Sequence, residues 1–209
     1  MLAARIIDWG VASATRAGER ESGDLHVVQA VGPDVLVAVV DGLGHGAEAS
    51  AAARAAVAVL GQHAGEPLLR LIKRCHDALR GKRGVVMSVA RFEQAAATMT
   101  WVGVGNVEGV LLCADREGRP ARYTLLTRGG IVGSELPELR PEVVSLAPQD
   151  TLILATDGIA TPFVDQLPGD GPPQALADRI LARNGKGTDD ALVLVARYEG
   201  GGGGARGRS

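Results

Sequence analysis

A run of aliphatic residues that ends in Asp-Gly and opens onto alanines restricts the fold of this chain more than any other feature. In chain order come the apolar residues 35–40, the stretch 41–46 (Asp-Gly-Leu-Gly-His-Gly) and an alanine-rich segment that begins at Ala47. β-Branched apolar runs favour buried strands, whereas alanine favours helices. The sequence therefore predicts a strand, a glycine turn and a helix, with Asp41 where the strand ends.

Similar strand ends recur near the C-terminus. Residues 152–156, which are apolar except for Thr156, lead into Asp157, and Asp189 and Asp190 directly precede the apolar run 191–196. Carboxylates at several strand ends, each beside glycine or another small residue, predict one cluster of hard oxygen ligands. Such a cluster is suited to Mg²⁺ or Mn²⁺.

The acidic residues of the first half are related by a predicted hairpin. Residues 25–31 and 35–40 read as strands joined by the tight turn 32–34, so Asp24 and Asp41 should lie at the same open end. A strand of this length spans roughly 20 Å, so residues at the same end of the hairpin lie much closer together than residues at opposite ends. A single Asp-Gly is most simply a turn, but several packed carboxylates repel one another and require cations. Two divalent ions sharing Asp41 would meet that need.

The glycines after the first strand also fit a dinucleotide-binding loop. Gly42, Gly44 and Ala47 have its spacing, and Glu66 lies at roughly the distance of a ribose ligand. The next predicted element is a second helix, however, where that fold requires a parallel strand. The interpretation as an oxidoreductase also leaves Asp157 without a role, so the metal cluster is favoured.

The rest of the chain predicts an α+β fold with mainly antiparallel sheets, because runs of strands stand beside runs of helices. Residues 127–149 and 165–173 are predicted to be irregular, and Gly105-Asn106 is most simply a hairpin turn. The predicted strands beyond the hairpin cover residues 6–15, 85–92, 96–104, 107–114, 121–126, 151–156 and 191–198, and the helices cover 47–60, 67–80 and 174–182.

Length and composition limit the class of protein. The 209 residues, of which 46% are hydrophobic, favour a single domain over residues 1–199, followed by a disordered glycine-rich tail over residues 200–209. A net charge of −2 without a basic block argues against nucleic acid as a partner. Two isolated cysteines, no signal peptide and no membrane-spanning stretch predict a cytoplasmic protein with reduced thiols.

Four motifs in a fixed order give the chain a family resemblance. They are Ser-Gly-Asp at 22–24, the stretch 41–46, Thr-Asp-Gly at 156–158 and Thr-Asp-Asp at 188–190. Together they resemble the metal-dependent serine/threonine phosphatases of the PP2C type, most closely the bacterial sporulation and sigma-factor-pathway branch. The small size and residues 102–106 are similar to the stand-alone phosphatases of the stressosome.

The resemblance implies an α-β-β-α sandwich of two mainly antiparallel sheets flanked by helices, with two Mn²⁺ or Mg²⁺ ions between the sheets. By the family pattern, Asp41 bridges both ions, Asp157 and Asp189 hold the second ion, and Asp24 acts on the first ion or its waters. Asp190 is the reserve candidate. The implied metal site is Asp24, Asp41, Gly42, Asp157, Asp189 and Asp190, and its catalytic members are Asp24, Asp41, Asp157 and Asp189.

The resulting hypothesis is a protein phosphatase in which a metal-activated water attacks phosphoserine or phosphothreonine directly. The expected substrates are phosphorylated regulators of a bacterial stress response, of the stressosome-scaffold or anti-sigma-factor-antagonist type. The alternative is a non-catalytic module of the same fold that binds a phosphoprotein. His45 is either a general acid or a polar loop residue, and Arg16 or Arg20 could hold phosphate or lie on the surface.

Overall fold

The computed structural model describes residues 6–115, 117–161, 163 and 171–200. Its strands are β1 (Ile7–Ala14), β2 (Asp24–Val31), β3 (Asp34–Gly42), β4 (Val85–Glu93), β5 (Thr98–Val104), β6 (Glu108–Leu112), β7 (Arg122–Leu125), β8 (Thr127–Arg128), β9 (Glu142–Ser145), β10 (Thr151–Ala155) and β11 (Ala191–Tyr198). Its helices are α1 (Ala47–Gln62), α2 (Leu68–Leu79) and α3 (Pro173–Asn184). The predicted strands and helices are present, with ends that shift by up to a few residues.

The strands form two sheets. The first sheet has the order β1-β11-β10-β6-β7 and all its pairs are antiparallel. The second sheet has the order β2-β3-β4-β5-β8, with β9 also paired to β5. Only the short β5–β8 pair is parallel among the pairs described for this sheet. The prediction of mainly antiparallel sheets is therefore confirmed.

The aliphatic run of β3 is continuous because both faces of the strand are buried. Leu36, Ala38 and Val40 pack in the core beneath α1 and α2, whereas Val37 and Val39 pack in the core between the sheets. Successive side chains of a strand point to opposite faces, so a strand covered on both sides needs apolar residues throughout. This position makes β3 a rigid support for the residues at its end.

Three apolar cores separate four layers. The first lies between the helix pair α1–α2 and the second sheet, the next lies between the two sheets, and the third lies between the first sheet and α3. The order of layers is helices, sheet, sheet, helix. The predicted α-β-β-α sandwich of the α+β class is confirmed.

Two local predictions are wrong. Residues 127–149, predicted to be irregular, contain the short strands β8 and β9. Gly105-Asn106, predicted to be a hairpin turn, joins β5 of the second sheet to β6 of the first and is a crossover between the layers. The hairpin prediction failed because glycine and asparagine favour any tight turn, while sheet membership depends on distant pairing partners.

Other expectations concern the termini, the thiols and membrane spans. Cys75 and Cys113 are both free and buried, as predicted. None of the helices in the part of the chain that the structure describes is long and apolar enough to cross a bilayer. From residue 201 onward the predicted tail lies outside the described residues, as do residues 165–170 of the predicted loop.

A buried carboxylate closes the end of the sandwich that lies opposite the open end of the β2–β3 hairpin. Asp150 is 0% exposed and accepts hydrogen bonds from the amides of Ala114 and Ala147, each at 2.9 Å. The guanidinium of Arg119 donates to the same carboxylate at 2.6 Å. One side chain therefore ties three chain segments to the start of β10.

Replacing Asp150 by alanine should lower the free energy of unfolding by about 3–5 kcal/mol, because the Arg119 charge and two amides lose their partner inside the protein. Equilibrium denaturation in urea measures the change. Glu138→Ala is the matched control, since the Glu138–Arg140 pair is exposed and contributes about 1 kcal/mol or less. Equal effects of the two substitutions would contradict a structural role for the buried pair.

Candidate metal centre and active site

The five aspartates singled out from the sequence line one cavity of about 80 Å³. The cavity opens at one end of the sandwich, where the two sheets meet. None of the described residues that line it is basic. The lining residues are Asp24, Asp41, Leu43, Gly44, Asn106, Asp157, Asp189 and Asp190.

Each sheet contributes part of the cluster. In the second sheet Asp24 and Asp41 are direct partners in the β2–β3 register, as the predicted hairpin requires. In the first sheet Asp157 follows β10, and Asp189 and Asp190 precede the neighbouring strand β11. Antiparallel neighbours bring the end of one strand beside the start of the next, so these carboxylates meet although they are distant in sequence.

The glycines that follow Asp41 and Asp157 allow close approach of two backbones. A Cβ at Gly42 would lie 2.2 Å from the carbonyl oxygen of Ala49 in α1. A Cβ at Gly158 would lie 1.9 Å from the carbonyl oxygen of Asp190. At these two positions glycine is required because protein backbone, rather than a ligand, occupies the space of a side chain.

Asp24 is held by a hydroxyl from the other sheet. It is only 4% exposed, and the Thr156 hydroxyl donates to its Oδ2 at 2.7 Å. The same hydroxyl accepts a hydrogen bond from the Leu192 amide at 2.8 Å. Thr156 therefore orients the Asp24 carboxylate across the gap between the sheets. The sequence motif contained Thr156, but its role depends on this contact between the sheets.

Asp190 and Asp189 have different environments. Both oxygens of Asp190 accept main-chain hydrogen bonds at 2.8 Å, one from the Arg16 amide and one from the Gly23 amide. The buried Asp190 thus fixes the β1–β2 connection against the cavity. Asp189 is more accessible, and its Oδ1 accepts a hydrogen bond from the Asp190 amide at 2.9 Å.

Asn106 is a site residue that the sequence interpretation missed. Its Nδ2 donates to Oδ2 of Asp157 at 2.9 Å and so orients the most exposed carboxylate of the cavity. The crossover from β5 to β6 places it there. Nearby, Nζ of Lys186 donates to the main-chain carbonyl of Asp157 at 2.5 Å. Residues 102–106 contributed to the family resemblance, but the local chemistry of an asparagine after glycine indicates only a turn.

Crowding and burial change the acidity of the two carboxyl groups of the second sheet. Burial, together with a smaller effect of the neighbouring carboxylates, raises the pKa of Asp24 to about 7, against the opposing effect of the Thr156 hydrogen bond. Burial also raises the pKa of Asp41 to about 8, with the charge of Asp24 and those of the other three aspartates adding to the effect. Both pKa values are raised because negative charge is unfavourable in a buried site that already holds other carboxylates.

The donor set fits hard divalent cations better than any other ligand class. It consists of carboxylate oxygens with no basic side chain among the lining residues, which is the chemistry that Mg²⁺ and Mn²⁺ select. In the part of the chain that the structure describes, no three His, Cys, Asp or Glu side chains are arranged to hold an ion as they stand. The Thr156 and Asn106 hydrogen bonds each engage one oxygen of Asp24 and of Asp157, and a carboxylate has two acceptor oxygens, so both groups can still bind an ion.

The other candidates from the sequence lie outside the cavity lining. His45 is 46% exposed, and its Nδ1 lies 2.6 Å from Oε1 of Glu19. Arg20 is exposed, and Arg16 contacts the cluster through its main-chain amide. These three side chains are absent from the described cavity lining, so the interpretation of His45 as a polar loop residue fits the structure better than a role as general acid.

This four-layer sandwich is the fold of the PP2C-type phosphatases, because solved PP2C phosphatase domains of SpoIIE and SiaA are similar to this chain, with TM-scores of 0.75 and 0.72. Residues 32–199 match the family model described as Stage II sporulation protein E (SpoIIE), and the chain belongs to this family. The predicted family resemblance is confirmed.

Known relatives share most of the length of the chain. It is 25% identical over 149 residues to the phosphoserine phosphatase RsbX of Bacillus subtilis (strain 168), covering 71% of this chain and 73% of RsbX. The chain is also similar to a structure described under the bacterial stressosome, a modular system adapted to control secondary messenger signaling. The two are 30% identical with a TM-score of 0.83, and the match covers 91% of this chain and 99% of the other chain. The crystal structure of RsbX in complex with magnesium is 22% identical with a TM-score of 0.82, covering 92% and 96%.

The raised pKa values predict an unusual dependence of stability on pH in chelator. Folded Asp24 and Asp41 retain protons up to about pH 7 and 8, whereas the unfolded groups lose them near 3.8. Between these values the unfolded chain binds fewer protons, so these two groups make the free energy of unfolding fall as pH rises from about 4 to about 8. Thermal denaturation in EDTA across this range measures the effect.

An Asp24→Asn, Asp41→Asn double variant is the control, because it lacks both titrating groups. Its melting temperature should fall less between about pH 5 and 8 than that of the unsubstituted protein. Parallel pH profiles of the two proteins would contradict the assigned cause. Added Mn²⁺ should raise the melting temperature of the unsubstituted protein at pH 8 more than that of the variant.

Proposed function

We propose that this protein is a metal-dependent phosphatase that hydrolyses phosphoserine or phosphothreonine on regulatory proteins of a bacterial stress response. The single observation that carries the proposal is the convergence of five aspartates from both sheets on one cavity without a basic residue in its described lining. Such a concentration of carboxylates is unfavourable by itself and is relieved when divalent cations bind.

The proposed metal site consists of Asp24, Asp41, the Gly42 carbonyl, Asp157, Asp189 and, in reserve, Asp190. By the family pattern Asp41 is the ligand shared by two ions, and its carboxylate lines the cavity together with that of its register partner Asp24. Asp157 and Asp189 are the more accessible carboxylates from the first sheet. The two hydrogen bonds to main-chain amides suit Asp190 to a supporting role.

Bound divalent ions supply two effects at such a site: they neutralise phosphoryl charge and lower the pKa of a water that attacks phosphorus. The protein residues supply orientation. Thr156 and Asn106 hold Asp24 and Asp157 by hydrogen bonds at 2.7 and 2.9 Å. Asp24 lines the cavity with its carboxylate held by Thr156, so it is suited to contact an ion or a water bound to that ion.

The expected substrates follow from the relatives. RsbX is a phosphoserine phosphatase, and another similar structure is described under the bacterial stressosome. We propose phosphorylated proteins of this kind as partners of the present chain, of the scaffold or anti-sigma-factor-antagonist type. Mg²⁺ or Mn²⁺, with two ions in the site, is the proposed cofactor, and magnesium is present in the RsbX complex.

Replacing Asp41 or Asp157 by asparagine should reduce phosphate release from a phosphoserine protein by at least about 10³-fold, because each change removes a charged ligand from the proposed metal site. Phosphate release in the presence of Mn²⁺ measures the rate. Asp77→Asn is the matched control, since Asp77 lies on α2 in exposed ion pairs with Lys73 and Arg80.

Full turnover by both site variants would exclude this mechanism. Tight phosphoprotein binding by the unsubstituted protein without phosphate release, at every Mn²⁺ concentration, would instead support the non-catalytic binding module.

Asn106→Ala should weaken Mn²⁺ binding or phosphate release by about 10–100-fold, as loss of a group that orients a metal ligand does. Calorimetric titration with Mn²⁺ separates affinity from turnover. The control is Asn184→Ala, because Asn184 donates to the Ile180 carbonyl within α3 and lies outside the described cavity lining. Unchanged affinity and turnover in Asn106→Ala would show that the contact with Asp157 is dispensable.

A further inference from the structure

A second cavity, here called the α1 groove, lies beside the carboxylate cavity and has no part in the chemistry described above. It runs between α1 and the turn from α2 to β4 and has a volume of about 560 Å³. This volume is within the range of roughly 300–1,000 Å³ that is typical of ligand-binding clefts. Its described lining is Glu48, Ala51, Ala52, Ala55, Gly81, Lys82 and Arg83.

Arg83 lies at the boundary between the two cavities. It lines the α1 groove, and its Nη1 donates to the carbonyl oxygen of Leu43 at 3.1 Å. Leu43 and Gly44 line the carboxylate cavity, and a Cβ at Gly44 would lie only 2.5 Å from the same Nη1. A substrate segment that leaves the carboxylate cavity beside Leu43 and Gly44 therefore meets first the Arg83 guanidinium and then the α1 groove.

The acidic partner of Arg83 within the protein is easily displaced. Nη2 lies 2.5 Å from Oε2 of Glu48, but the two side chains are 42% and 75% exposed. Exposed ion pairs contribute little to stability, because water and salt screen them. A carboxylate or phosphate from another molecule can therefore replace Glu48 and bind the guanidinium in the bidentate geometry that suits both anions.

The carboxylate cavity is too small to hold more than the phosphoryl end of a protein substrate, so most of the substrate must lie outside it. A volume of about 80 Å³ holds ions and a phosphoryl group but no neighbouring residues. The α1 groove lies next to it on the far side of Arg83, and its alanine side leaves space for an extended main chain. Lys82 and Arg83 outnumber Glu48, so the groove favours a negatively charged segment.

We propose that the α1 groove binds the segment of the phosphoprotein substrate adjacent to its phosphoserine, with an acidic side chain of that segment displacing Glu48 from Arg83. This inference rests on the proposed phosphatase function. It adds a determinant of substrate specificity that is separate from the residues that carry out hydrolysis.

The test compares three substrates in steady-state kinetics with Mn²⁺. They are a synthetic phosphoserine peptide flanked by glutamates, the same peptide flanked by glutamines, and p-nitrophenyl phosphate, which has no flanking segment. The unsubstituted enzyme should have a lower KM for the glutamate peptide than for the glutamine peptide. Ala51→Trp, which fills the groove from an exposed helical position, should raise the KM for the glutamate peptide about tenfold and leave kcat/KM for p-nitrophenyl phosphate unchanged.

Two charge variants test the role of Arg83 without replacing it. Glu48→Gln frees the guanidinium and should lower the KM for the glutamate peptide about threefold, with little change for the glutamine peptide. Lys82→Gln, at an exposed side chain, should reduce the preference for glutamates by a similar factor. Ala182→Trp, at an exposed position of α3, is the matched control and should change none of these values.

The proposal is overturned if Ala51→Trp leaves the KM of the glutamate peptide unchanged, or if it affects all three substrates equally. It is also overturned if Glu48→Gln and Lys82→Gln leave the preference for glutamates unaltered. Failure of the unsubstituted protein to hydrolyse any of the three substrates with Mn²⁺ or Mg²⁺ would instead overturn the proposed phosphatase function.

Discussion

Electrostatic repulsion among carboxylates that the fold holds together is the constraint on which the rest of this structure depends. Asp24 and Asp41 are fixed by a β-ladder, and strand ends of the opposing sheet bring further aspartates to the same cavity. Burial and mutual repulsion raise the pKa of both groups by several pH units, to about 7 and about 8. The rest of the fold must offset this strain, and bound cations are the natural means of relieving it.

The sandwich tolerates the repulsion among the carboxylates because its central strands are held in place by packing on both faces. Both faces of β3 and of β11 are apolar and packed in cores, so close packing restrains both strands from two sides. Gly42 and Gly158 bring the adjoining backbones within contact distance and fix where the strands end. The acidic cluster is therefore preorganised by packing that lies entirely outside the cavity.

The residues that orient the site carboxylates and the residues proposed to recognise the protein substrate lie in different parts of the molecule. Hydrogen bonds from Thr156 and Asn106 orient carboxylates that approach from strand ends. The proposed recognition surface lies instead on α1 and the turn that precedes β4, where side chains are exposed and their ion pairs are weak. Residues on such a surface can change without altering the strands that support the site. A phosphatase of this fold can thereby acquire new protein substrates while its chemistry stays the same.

Local signals in the sequence accounted for much of the fold and of the site. The β2–β3 hairpin, the strand ends at Asp41 and Asp157, and the α+β class follow from apolar runs, alternation and turn residues, because these patterns act over a few residues. The pairing of Asp24 with Asp41 followed as well, since a tight turn sets the register of its own hairpin.

Tertiary structure alone decided which sheet each strand joins and what each aspartate contacts. The turn at Asn106 has the same local chemistry in a hairpin as in a crossover, so only the separate pairing of β5 and β6 brought its amide to Asp157. The contact of Thr156 with Asp24 spans 132 positions of the chain, and that of Asp190 with Gly23 spans 167. Such contacts depend on the packing of two sheets against each other, a non-local result that no short segment encodes.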